Sequence, residues 1–225
     1  MSYSSLWGID HGFNGKELKK YHNSMLIESA VCIVLANKIL GRDKYGYIRQ
    51  SQRMDGSEEA YQLNRILNIS ENTTDRVVWE IINEQIFFTK DKDLVAESIL
   101  KFCSDNTEYG KERGSDWVPL EKDGMLEKRL KELAKDIKEL DKNEFPCFVI
   151  KATSCDDEVE YWFKDFNEKL EESVSTTLCW CTKYVTDFVI IEEGKIIDFI
   201  PNDRMNYSQA QEWAMGVTTK WTDQK

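Results

Sequence analysis

Apolar residues follow a helical spacing through the first half of the chain and a strand-like spacing through much of the second half. Residues 24–40, 57–68, 74–88 and 91–104 predict four helices. The first of them is apolar on almost every side, which is typical of a helix buried among others. Residues 5–16 are rich in glycine and predict turns with one short strand. The first half should therefore be mostly helical.

The second half combines helices with short apolar runs of the strand type. Residues 124–142 predict a helix with one narrow apolar stripe, and Ser208 begins a short helix near the C-terminus. Glu193-Gly194 has the composition of a tight turn, because glycine readily takes a positive φ. Four apolar runs predict strands over residues 145–152, 176–182, 184–191 and 195–200.

Helices followed by clustered strands favour an α+β fold. The N-terminal half would be helical, and the C-terminal half would hold a small antiparallel β-sheet with flanking helices. A polar stretch with Gly110, Gly114 and Pro119 predicts a loop or linker. The expected organisation is a mostly helical region over 1–108, a connection over 109–122 and an α+β region over 123–225. Packing of both regions as one domain is compatible with the same pattern and with a chain of 225 residues.

The charge of the chain restricts its partners. It carries 41 acidic and 30 basic residues, a formal net charge of −11. Such an excess opposes binding to nucleic acid or to an anionic membrane and favours a basic partner protein. The apolar stretch from Met25 to Ala36 is too short to span a bilayer. The N-terminal residues lack the features of a signal peptide, so a cytoplasmic location with reduced thiols is expected.

Residues 156–172 contain eight acidic residues and two lysines. The segment predicts an amphipathic helix whose apolar residues face inward. Like charges at helical spacing destabilise a helix by a few tenths of a kcal/mol each, so part of this acidity suits a partner surface. A solvated helix face is the alternative interpretation. The residues expected to contact a basic partner are Asp156, Asp157, Glu160, Glu168, Glu171 and Glu172.

Two further groups of residues are candidates for chemistry. Asp10 and His11 adjoin the glycine-rich entry and could act as an acid–base pair, although histidines on turns are more often solvated. Four cysteines could bind zinc, but their spacing lacks the paired knuckles of structural zinc sites, and buried thiols are the alternative. Neither group predicts a cofactor. The four cysteines are Cys147, Cys155, Cys179 and Cys181.

The sequence lacks recognisable catalytic motifs such as a nucleophile elbow or a metalloprotease helix. The net charge then predicts a non-enzymatic acidic inhibitor, of the kind carried by a phage or mobile element, that docks on a basic nucleic-acid-binding protein. A toxin–antitoxin or immunity partner fits the same expectations. The alternative is a small-molecule-binding enzyme or sensor with a site near Asp10 and His11, lined by aromatic residues and thiols.

Overall fold

A computed structural model describes residues 3–22, 27–40, 58–107, 124–153, 164–175, 187–202 and 207–217. Within these residues the chain is mixed α/β, with six α-helices, one short 3₁₀ helix and eight strands. The strands are β1 (Tyr3–Ile9), β2 (Gly15–His22), β3 (Ile86–Phe88), β4 (Cys147–Thr153), β5 (Lys164–Asn167), β6 (Glu172–Ser175), β7 (Phe188–Glu192) and β8 (Lys195–Ile200). The helices are α1 (Ile27–Leu40), α2 (Glu58–Asn68), α3 (Thr73–Ile82), the 3₁₀ helix (Thr89–Asp91), α4 (Lys92–Asp105), α5 (Met125–Lys138) and α6 (Tyr207–Ala214).

Six of the strands form one sheet in the order β2-β1-β4-β3-β7-β8, while β5 and β6 pair with each other. All neighbours in the large sheet are antiparallel except β3 and β7, which are parallel. The expectation of a purely antiparallel sheet confined to the C-terminal half is therefore wrong. The sheet is mixed, and three of its strands come from the first half of the chain.

The glycine-rich entry forms two strands rather than one. β1 and β2 make a hairpin whose turn covers residues 10–14, with Ile9 paired to Gly15 and a register shift between Leu6 and Trp7. β2 is the edge strand of the described sheet. Lysines are common on such edges, where they discourage pairing with other chains. They also break the apolar alternation that would have marked β2 as a strand in the sequence.

The helix expected over 74–88 ends early, and its last residues form a strand. α3 stops at Ile82, and the backbone at Glu84 takes a left-handed conformation with φ of 57°. This reversal directs Ile86 and the following phenylalanines into the centre of the sheet, between β4 and β7. Three apolar residues in a row suit a buried strand as well as a helix face, so pairing with β4 and β7 decides the outcome.

The side chains of the sheet alternate between two apolar clusters. On one side, Phe87 and Phe148 belong to the cluster that includes buried residues of α1 to α5. On the other side, Phe88 and Cys147 belong to a smaller cluster that includes Ala210 and Trp213 of α6. The helix expected over 124–142 and the turn at Glu193-Gly194, with φ values of 48° and 76°, are confirmed.

The two regions expected on either side of residues 109–122 share this sheet. β1 pairs with β4, and β3 lies between β4 and β7, so strands from 1–108 alternate with strands from 123–225. The expected connection itself lies outside the described residues.

Candidate functional site

The acidic segment differs from its sequence-based prediction over the residues that the structure describes. Residues 164–175 form a β-hairpin in which Lys164 pairs with Ser175 and Asn167 with Glu172. The helix expected to continue through 172 is therefore wrong over 164–172. Asp165 and Asn167 are poor helix formers, and the like charges of the last turn oppose a helix further. In the hairpin, the acidic side chains no longer lie one helical turn apart, so this repulsion is avoided.

The hairpin places part of the expected partner surface in water. Glu168 and Glu171 lie in its exposed turn, and Glu171 takes a left-handed conformation with φ of 51°. Leu170 between them is 59% exposed. Neither glutamate forms an ion pair with the described part of the chain. Glu172 begins β6, while Asp156, Asp157 and Glu160 lie outside the described residues.

The structure uses Asp10 to stabilise a turn. The Asp10 carboxylate accepts hydrogen bonds from the backbone amides of Gly12 and Asn14, at 2.8 and 2.9 Å. His11 is exposed, and its Nε2 lies 3.1 Å from the carbonyl oxygen of Asn143. These contacts attach the β1–β2 turn to the segment before β4. They give both residues a structural role without requiring acid–base chemistry.

Of the four cysteines considered for zinc, the structure describes one. Cys147 is buried in β4, where burial raises the pKa of its thiol far above the ordinary value. Such a thiol is a poor nucleophile and a poor metal ligand, because both roles need the thiolate. Cys155, Cys179 and Cys181 lie outside the described residues. Within the residues that are described, no three metal-binding side chains gather at one place.

Sequence reasoning missed a group of charged residues at the carboxyl ends of the two central strands β3 and β7. Because these two strands are parallel, their carboxyl ends meet at the same edge, which is a common place for ligand sites. Lys90 and Asp91 follow β3, and Glu192 is the last residue of β7. We call this group, together with Phe88 of β3 and Trp213 of α6, the Trp213 site.

Lys90 lies over the aromatic rings of the Trp213 site. Its Nζ is 3.5 Å from the ring centroid of Trp213 and 5.7 Å from that of Phe88. Burial of the ammonium lowers the pKa of Lys90, although the nearby acidic groups of Asp91 and Glu192 favour the charged form. Taken as a whole, Lys90 is an exposed residue. Within the described residues, Lys90 Nζ makes neither a hydrogen bond nor an ion pair.

Asp91 is the second unusual group of the Trp213 site. Burial raises its pKa to about 6, and the nearby Lys90 opposes this shift only in part. Its Oδ2 atom is buried and has no hydrogen-bond partner among the described residues. Asp91 also precedes α4 without capping it through its side chain. A buried acceptor of this kind is uncommon and marks a possible ligand site.

The surrounding chain holds the Trp213 site in place. The Thr89 hydroxyl donates to the carbonyl of Phe145 at 2.6 Å, and the Thr89 amide donates to the carbonyl of Pro146 at 2.8 Å. Phe88 stacks on Phe188 with centroids 5.8 Å apart, and Phe13 of the β1–β2 turn meets the edge of the same ring. The turn that carries Asp10 and His11 therefore contacts the apolar cluster beneath the site.

A buried ion pair lies where β4 passes the start of β3. Lys151 Nζ is 2.6 Å from Oε2 of Glu84, and Lys151 has no solvent exposure. A lysine is almost never fully buried unless an anion accompanies it. The sequence gives little sign of this pair, because Lys151 lies within a largely apolar strand and Glu84 lies in what reads as a helix.

No protein family, curated protein or solved structure was found to match this chain. Among the described helices, none is both long enough and apolar enough to cross a membrane.

Proposed function

We propose that this chain is a non-enzymatic binding protein that docks on a basic partner protein through the β5–β6 hairpin. The observation that carries the proposal is the exposed turn of that hairpin. It presents Glu168 and Glu171 without an ion-pair partner in the described chain, on either side of the exposed Leu170. The exposed carboxylates remain available to cations of a partner.

Charge and apolar contact would act together at this turn. A net charge of −11 attracts a basic protein over distances of several ångströms and speeds encounter at low salt. The charges at the turn would then orient the partner, and Leu170 would fill an apolar position within the contact. The proposal also assigns contact with the partner to Asp156, Asp157, Glu160 and Glu172.

The partner that best fits this surface has a groove for nucleic acid. Such grooves carry lysines and arginines arranged to meet phosphates, and carboxylates on a hairpin can satisfy the same cations. In this proposal the chain acts in the cytoplasm as an inhibitor from a phage or mobile element. An immunity or antitoxin protein would use the same contact.

The test compares two doubly substituted proteins with equal net charge. One carries Glu168→Gln and Glu171→Gln at the turn, and the other carries Asp93→Asn and Glu212→Gln, both exposed positions elsewhere. Partners captured on the immobilised chain at low salt are identified, and their association rates are measured. We expect the turn variant to associate about tenfold more slowly and the control to stay within about twofold. Equal losses, or no basic protein captured, would contradict the proposal.

A second function, small-molecule binding by an enzyme or sensor, is favoured by one observation. The buried Oδ2 of Asp91 has no partner within the described residues and lies close to Lys90. The β1–β2 turn contacts the apolar cluster below these groups, but Asp10 itself is engaged in the turn. A thermal-shift screen of metabolites tests this alternative, since a ligand that binds the folded chain raises its melting temperature.

A further inference from the structure

We propose that the Trp213 site binds a quaternary ammonium group, and that the side chain of Lys90 covers this site in the structure. The proposal is independent of docking by the hairpin. The site would take a ligand such as choline or a trimethylated lysine side chain, which share the same cationic group.

The first support is the position that Lys90 Nζ occupies. It lies over the face of Trp213 and near Phe88, at 3.5 and 5.7 Å from their centroids. A cation over an indole face is attracted by the negative face of the ring, and more strongly the further it is removed from water. Trp213 is only 2% exposed, so its ring is held by the apolar cluster of α6. The aromatic surface is therefore built before any ligand arrives.

The second support is the charge around that position. Asp91 and Glu192 are the carboxylates that favour the charged form of Lys90. Neither of them approaches Lys90 Nζ within ion-pair distance. Positive charge is thus attracted to the site by two carboxylates and a ring face, but no described oxygen is placed to accept a hydrogen bond from Lys90 Nζ.

These two features suit a quaternary ammonium better than a primary one. A lysine ammonium has three N–H donors that need acceptors, and it is strongly hydrated. Lys90 Nζ loses part of its water at this site without gaining an acceptor from the described residues, and burial accordingly lowers its pKa. A quaternary ammonium has no N–H groups to satisfy, so it would keep the attraction to the ring and to the carboxylates without that loss.

Lys90 can leave the site without a change in the backbone. Lys90 is an exposed residue, whereas the neighbouring Thr89 is buried and bonded to Phe145. The flexible four-carbon chain of Lys90 can therefore turn into water while the backbone of the 3₁₀ helix stays fixed. Lys90 acts as a competitor for the ligand, which lowers the apparent affinity of the intact chain.

Calorimetric titration with tetramethylammonium chloride at constant ionic strength tests the proposal, with ammonium chloride as the reference cation. We expect Lys90→Ala to bind tetramethylammonium about tenfold more tightly than the unchanged chain, because the competitor is gone. Trp213→Phe and Asp91→Asn should each weaken binding several-fold. Lys101→Ala is the matched control, since it removes an exposed lysine from α4 and changes the net charge equally.

A folding defect in Lys90→Ala would be detected by its melting curve. The unchanged chain tests the proposal independently of that variant. Its Trp213 indole resonance, assigned with Trp213→Phe, should shift with tetramethylammonium and not with ammonium. Tighter binding of choline or of a trimethyllysine peptide would support the proposal and identify the source of the cation. Equal binding of tetramethylammonium and ammonium, or equal effects of Lys90→Ala and Lys101→Ala, would overturn it.

Discussion

Replacing Glu84 with glutamine should destabilise the chain much more than replacing Lys151 with methionine. Lys151 is fully buried, whereas the side chain of Glu84 is 21% exposed. Removing the charge of Glu84 leaves a buried ammonium beside an uncharged amide. Removing the ammonium instead leaves a carboxylate that still reaches water, so the two halves of the pair are not equivalent.

The magnitude follows from the 2.6 Å separation between Lys151 Nζ and Glu84 Oε2. At an effective dielectric constant of about 20, the attraction is about 6 kcal/mol, and burial of the two ions costs several kcal/mol each. Breaking such a pair from one side costs about 3–5 kcal/mol, so Glu84→Gln should lie near 3 kcal/mol. Lys151→Met keeps a linear apolar side chain and should cost about 1 kcal/mol. The double variant should therefore resemble Lys151→Met, with a coupling of about 3 kcal/mol.

Urea denaturation at neutral pH, followed by circular dichroism, measures these free energies of unfolding. The ion pair of Lys101 with Asp105 is a matched control, because it has the same 2.6 Å separation but side chains that are 62% and 44% exposed. Asp105→Asn should cost less than about 0.5 kcal/mol. The reasoning fails if Glu84→Gln is no more harmful than Lys151→Met, or if it resembles the exposed control.

Three further predictions concern single sites. A Cβ atom at Gly8 would lie 2.6 Å from ring carbons of Phe145, so Gly8→Ala should lower the free energy of unfolding by about 1–3 kcal/mol, as measured by thermal melts. Recovery of stability in Gly8→Ala/Phe145→Leu would confirm the clash, and an unchanged stability of Gly8→Ala would exclude it. Burial raises the pKa of Asp91 from 3.8 to about 6, so the folded chain binds the extra proton and loses stability as the pH rises from about 4 to 6. Asp91→Asn should consequently gain about 3 kcal/mol over the unchanged chain at pH 8 and nothing at pH 4. An equal effect at both pH values in urea titrations would contradict the shift. Gly194 has φ of 76°, and an added Cβ would meet only an ordinary contact. Because a left-handed backbone is unfavourable for alanine, Gly194→Ala should lower the unfolding free energy by about 1 kcal/mol. An unchanged melting temperature would show that the turn relaxes.

Elements with a strong local signal could be predicted from the sequence. α1, α4 and α5 show an apolar pattern along their whole length, and Glu193-Gly194 supplies the two positive φ values that the β7–β8 turn needs. In these elements the residues that decide the structure lie within a few positions of one another. Local spacing is then sufficient.

β3 could not be predicted because its partners are distant in sequence. Ile86 to Phe88 continue the helical spacing of α3, and no proline or glycine separates the two elements. The local signal in the sequence is Asn83, which ends α3 by donating a hydrogen bond back to it. Pairing with Phe148 and Val189 then commits the segment to a strand, and this information is not local.

The candidate sites follow the same division. Glu168 and Glu171 could be predicted as exposed acidic residues, because their charges make burial costly in a helix and in a hairpin alike. The Trp213 site could not, since Lys90, Glu192 and Trp213 are far apart in the chain. They approach one another only because β3 and β7 are parallel and α6 covers the sheet on that side. Once the pairing of β3 with β7 is known, the charged residues Lys90 and Asp91 directly after the apolar β3 indicate the site.

Binding at the turn of the β5–β6 hairpin and binding at the Trp213 site should respond differently to salt. Glu168 and Glu171 are exposed to water, and the Debye length falls from about 10 Å at 0.1 M to about 3 Å at 1 M. Docking through the hairpin should therefore weaken steeply as salt is added. At the Trp213 site the cation lies against a buried indole, and the Oδ2 atom of Asp91 is removed from solvent, so tetramethylammonium should lose much less affinity over the same range. A steep salt dependence at both sites would mean that Asp91 and Glu192 act only as part of the overall negative charge, and the specific role given to the indole would then be wrong.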